Sequence, residues 1–128
     1  MSMTVEECEQ YIDEAISMVP EPVRNKITNV AFVIEDEPRR ARQTERQILS
    51  GGMLLGLYQG IPLPARSAHY SGVLPDKITI FKHAIELVAG PNKEAIRRRV
   101  HDVVFHEIAH FLGMNESAVR HWERGRKK

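Results

Sequence analysis

The stretch Val103-Val104-Phe105-His106-Glu107-Ile108-Ala109-His110-Phe111-Leu112-Gly113-Met114-Asn115-Glu116 constrains this chain more than any other. Its apolar residues recur with helical period, and a helix from Lys93 to Leu112 is expected. The early turns are apolar on one side only, at Ile96, Val100 and Val103, with Arg97, Arg98, Arg99 and Asp102 elsewhere. The later turns add Val104, Phe105, Ile108, Phe111 and Leu112, which cover nearly the whole circumference. A helix that is apolar all round is enclosed by protein. The rest of the chain must therefore wrap the C-terminal half of this helix.

At 128 residues the chain fits one domain, 1–128, long enough to bury a core without staples. Formal net charge is +1, so no global field recruits nucleic acid or an anionic membrane. The basic run Arg124-Gly125-Arg126-Lys127-Lys128 reads as a solvated tail. Cys8 is the only cysteine, which excludes an intrachain disulfide and suits a reducing compartment. The N-terminus has no basic region followed by an apolar one, and no apolar run approaches a membrane span. A cytoplasmic protein is expected.

Thr4 and Glu7 form a capping box ahead of an apolar stripe at Val5, Cys8, Ile12, Ala15, Ile16 and Val19. This helix stops at Pro20-Glu21-Pro22, and its acids Glu6, Glu9, Asp13 and Glu14 read as a solvated face. After a turn over Val23 to Lys26, Asn29 to Glu35 is expected to be a strand buried on both faces inside a sheet. Arg39 to Gln47 reads as a loop with a short exposed helix. A strand is expected from about Met53 to Gln59, where Gly56 marks a bulge or a close approach to the backbone. Ile61 to Pro64 must be extended, and Arg66 to Gly72 reads as a loop or irregular edge strand. Lys77 to Phe81 alternates like a half-buried strand. A short helix through Ala84, Ile85, Leu87 and Val88 closes at Gly90-Pro91. Asn92 then caps the long helix, Gly113 ends it, and a final helix runs through Ala118, Val119 and Trp122.

The chemistry sits on the long helix. His106 and His110 are four residues apart and share a face, so together they can hold one zinc ion. Glu107 is rotated about 100° from His106, away from direct ligation, and can act as general base toward a water activated by that ion. A catalytic zinc takes three protein ligands, and Glu116, brought back by the turn at Gly113, is the third. The bland alternatives are an acid favouring the last helix's dipole for Glu116 and a hydrogen-bonded histidine pair without metal. Tyr70, His69, Tyr58 and His121 are candidates for a second donor to the carbonyl oxygen, and the sequence does not rank them. His101 points elsewhere, and His83 has no supporting context.

The span His106 to Glu116, with Gly56-Leu57-Tyr58-Gln59-Gly60-Ile61-Pro62-Leu63 and Pro75-Asp76-Lys77-Ile78-Thr79-Ile80-Phe81, resembles the bacterial zincin-like metallopeptidase family. The family pattern usually carries an aspartate where this chain has Glu116. The resemblance implies an α+β minimal zincin fold, with a mixed sheet of three to four strands packed on the active-site helix plus flanking helices. It implies a zinc-dependent peptidase acting on a peptide or protein substrate, which zincins generally hold as an added strand on a sheet edge. The candidate edges are Ser67–Tyr70 and Lys77–Phe81. The rival reading is a catalytically silent zinc-binding interaction module, which would have no need of Glu107.

Overall fold

The computed structural model describes residues 3–36, 49–50, 53–61, 76–114 and 117. Helix α1 (Val5–Met18) begins at a reciprocal capping box. The Glu7 backbone N–H donates to the Thr4 hydroxyl at 3.0 Å, and the Thr4 N–H donates to the Glu7 carboxylate at 2.9 Å. Cys8, Tyr11, Ile12 and Ala15 form its buried face, whereas Val5 in the first turn stands in solvent. The expected turn after it is a short helix, α2 (Glu21–Lys26), with Pro22 in the first turn, where its missing N–H leaves no helical bond unmade.

The strands are β1 (Val30–Glu35), β2 (Leu49–Ser50), β3 (Met53–Leu54), β4 (Gly56–Gln59) and β5 (Asp76–Phe81). The expected strand from Met53 to Gln59 is divided at Leu55. Its first part pairs antiparallel with β2, and its second pairs antiparallel with β5. β5 also pairs in parallel with β1, giving a mixed three-stranded sheet of order β1-β5-β4.

This order corrects the sequence reading of two strands. The pattern of β1 predicts a place inside the sheet, but among the described residues it pairs with β5 alone and is only half-buried along its length. The pattern of β5 predicts a half-buried strand, yet it is the central one, and only Lys77 keeps partial exposure. Thr79 looks polar in the sequence but is buried on this central strand. β5 is hydrogen-bonded to β1 and to β4, so Lys77–Phe81 is not an edge that could receive a peptide. The other candidate edge, Ser67–Tyr70, lies outside the described residues. So do the expected helix within 39–47, the connection beyond Ile61, and Ala118, Val119 and Trp122.

β5 leads directly into α3 (Lys82–Ala89), which ends at Gly90 with φ 83°. The Asn92 side chain accepts from the Ala95 N–H at 2.9 Å and starts α4 (Lys93–Phe111). Its 19 residues reach about 28 Å at 1.5 Å per residue. α4 lies against α1, α3, β4 and β5, and these contacts create the core. Val100, Val104 and Ile108 are fully buried, as are Ile78, Ile80 and Leu55. The α+β architecture, a small mixed sheet on a long enclosed helix, matches the expected fold class.

Candidate metal centre on the enclosed helix

α4 presents two different stripes. Val103, Glu107 and Phe111 are four apart and follow β4. A side chain at Gly56 would meet Val103 and Glu107, and Tyr58, two residues on along the same strand face, packs its ring edge-on against Phe111. The centroids of that ring pair are 5.9 Å apart at 73°. His106 and His110 occupy the neighbouring stripe, with ring centroids 4.7 Å apart at 66°. One acid thus sits on the sheet-facing side of the helix, and two imidazoles sit beside it.

The three side chains converge. One nitrogen from each histidine and one carboxylate oxygen of Glu107 all lie within 4.8 Å of one another. Glu107 has no exposed surface, His110 is buried and His106 is half-buried. The histidines fall in the last turns of α4, where the partial negative charge of the helix end favours a cation. Imidazole nitrogens are apt zinc donors, so the donor set fits the expected ion.

Directly after His110 the chain turns. Gly113 has φ 85°, its N–H donates to the His110 carbonyl at 2.9 Å, and the Met114 N–H donates to the Ala109 carbonyl at 3.0 Å. That bond pair is a Schellman ending, which satisfies carbonyls the helix would otherwise leave open. Glu116, the expected third ligand, lies outside the described residues, as do His69, Tyr70 and His121.

Tyr58, the candidate donor among the described residues, and the two histidines that the sequence set aside, His101 and His83, have other surroundings. The Tyr58 hydroxyl donates to Asp76 Oδ2 at 2.8 Å. His101 lies 3.0 Å from Glu14 Oε1, which also accepts from Arg97 Nε at 2.8 Å. The Arg97 guanidinium holds the Glu14 carboxyl below its ordinary value, against an opposing cost of desolvation and with a lesser contribution from His101. Glu14 therefore joins α1 to α4 instead of lying on a wholly solvated face. His83 is exposed.

The arrangement around Gly60 has no signal in the sequence. A Cβ there would fall 2.5 Å from Asp76 Cγ and 2.9 Å from the Tyr58 hydroxyl, so glycine admits that hydrogen bond. A cavity of about 390 Å³ lies between Met3, Tyr11, Pro91, Lys93 and Ile96. It borders the N-terminal turns of α4, more than two helical turns before His106, and is separate from the histidine cluster.

The model of a family described as zincin-like metallopeptidase matches residues 27–126. The zinc binding that this family implies agrees with the His-Glu-His cluster. The structure is similar to that of a conserved hypothetical protein from Thermo thermophilus, at 21% identity and a TM-score of 0.57. That likeness covers 86% of this chain and 94% of the other, and it bears on the fold alone. None of the curated proteins matches the chain. Among the described residues, no helix is long and apolar enough to cross a membrane.

Proposed function

Because this chain belongs to the zincin-like metallopeptidase family, we propose that it is a zinc-dependent peptidase acting on peptide or protein substrates. In this reading residues 1–128 form one catalytic domain. His106 and His110 hold the zinc, Glu116 is its third ligand, and Glu107 is the general base. The observation that carries the reading is the convergence of two imidazole nitrogens and a fully buried carboxylate within 4.8 Å.

Zinc, when bound, supplies a Lewis acid that polarises the scissile carbonyl and acidifies water. Glu107 takes a proton from the attacking water onto a carboxylate oxygen and returns it to the leaving amine. The surrounding protein excludes bulk solvent from that carboxylate, which strengthens each charge interaction it makes. The Tyr58 hydroxyl is engaged by Asp76, which leaves His69, Tyr70 and His121 as candidates for a second donor to the carbonyl oxygen. Ser67–Tyr70 is the remaining candidate for the edge that pairs with substrate. The lone, buried Cys8 supports a cytoplasmic setting.

Incubation with a diverse peptide library, with zinc and with a chelator, tests this reading by mass spectrometry of the products. Cleavage that requires zinc is the expected result. Stoichiometric zinc without cleavage would overturn it in favour of the silent binding module, and absence of bound zinc would overturn the site itself. Glu116→Ala is expected to weaken zinc binding about 10-fold or more.

A further inference from the structure

Gly56 stands where any side chain would collide with the helix that carries the His-Glu-His cluster. A Cβ at this position would lie 2.6 Å from Val103 Cγ1, 3.3 Å from Glu107 Cγ and 3.4 Å from the Thr79 carbonyl oxygen. The described glycines with positive φ are Gly60, Gly90 and Gly113, so the backbone at Gly56 would accept alanine. The demand for glycine here is a demand for space.

We infer that Gly56 is a positioning residue for Glu107: the missing side chain lets the Glu107 stem rest on the backbone of β4 and fixes where its carboxylate stands beside His106 and His110. This rests on the reading of those histidines as zinc ligands. The stem is the part of Glu107 that Gly56 meets, and the carboxylate is the part that converges with the imidazoles. A stem displaced by a few tenths of an ångström carries its carboxylate further, because the displacement is amplified along the remaining bonds. Val103 is β-branched and stiff about χ1, so it cannot yield by turning aside. A methyl group at Gly56 would push on the helix through Val103 and on the base through Glu107. The two effects are separable, because Val103→Ala removes the shorter contact and leaves the one to Glu107.

The experiment measures thermal unfolding of the zinc-free protein, and zinc affinity by chelator competition. It compares wild type, Gly56→Ala, Val103→Ala and the Gly56→Ala/Val103→Ala double variant, each with Glu107 and with Glu107→Gln. Gly56→Ala alone is expected to lower the unfolding temperature. The double variant should unfold at the temperature of Val103→Ala alone, yet bind zinc about 10-fold more weakly than it, the scale of a lost outer-shell partner. With Gln at position 107 that difference in affinity should vanish, because no charge is left to misplace. A loss of equal size in the Gln background would overturn the inference, showing that the methyl group acts through the helix and the histidines. Recovery of affinity together with stability would overturn it as well, reducing Gly56 to a packing residue. A wild type that binds no zinc would overturn the proposed function, and this inference with it.

Discussion

Glu107 lies between Val103 and Phe111 on the stripe of α4 that faces β4, where packing alone favours an aliphatic side chain. Removing a carboxylate from water is costly, and a protein that keeps one in such a place gives up stability for chemistry. In the zinc-free protein, Glu107→Met is therefore expected to stabilise the fold by about 1 kcal/mol, as measured by denaturant unfolding. A destabilisation of that size would show that the acid is part of the packing scheme. Cys8 is the opposite case, an apolar use of a reactive group. Burial pushes its thiol up from 9.0 to about 12. The unfolded thiol ionises above pH 9 while the folded one stays neutral, so this group lowers stability as pH rises from 9 toward 12. At neutral pH, thiol reagents should modify Cys8 only at the rate of unfolding, and prompt labelling of the native protein would contradict its burial.

At the scale of elements, the long helix is defined by its two ends and by what leans on it. Gly113→Ala puts a Cβ into a left-handed conformation at the Schellman turn, which costs about 1–2 kcal/mol. Urea unfolding should report a loss of that order, and no loss would mean that the turn is not held as described. At the other end Glu14 ties α1 to Arg97 and His101. A carboxyl whose folded pKa lies below its ordinary value of 4.5 stabilises the fold above that pH. The contribution is lost as pH falls through the folded value. Glu14→Gln should therefore unfold at a lower temperature than wild type near pH 7, and the gap should close below pH 4.5. A gap that is constant with pH would assign the effect to packing. Both helix caps and both glycine endings of α3 and α4 were legible, because Thr4, Asn92, Gly90 and Gly113 act through backbone geometry at short range. The tie through Glu14 was not legible, since it joins positions far apart in sequence.

For the whole molecule, the same division explains the sheet. Local pattern identified Asn29–Glu35 and Lys77–Phe81 as strands but exchanged their places, because strand order follows from pairings between distant segments. The cluster of His106, Glu107 and His110 was legible, since three residues within little more than one helical turn need no tertiary information to converge. The close approach at Gly56 was legible as one of two readings of a glycine inside a strand pattern, and its neighbour had to be seen. α1 precedes the family-matched residues 27–126, yet it buries Cys8, Tyr11, Ile12 and Ala15 and packs on α4. The helix that carries the cluster is thus covered by the sheet and supported by α1. The most direct measurement is the initial rate of peptide cleavage by wild type and by Glu107→Gln at matched zinc occupancy. A base in this position predicts a fall of about 10²–10⁴-fold at that matched occupancy. Equal rates at equal occupancy would contradict the account.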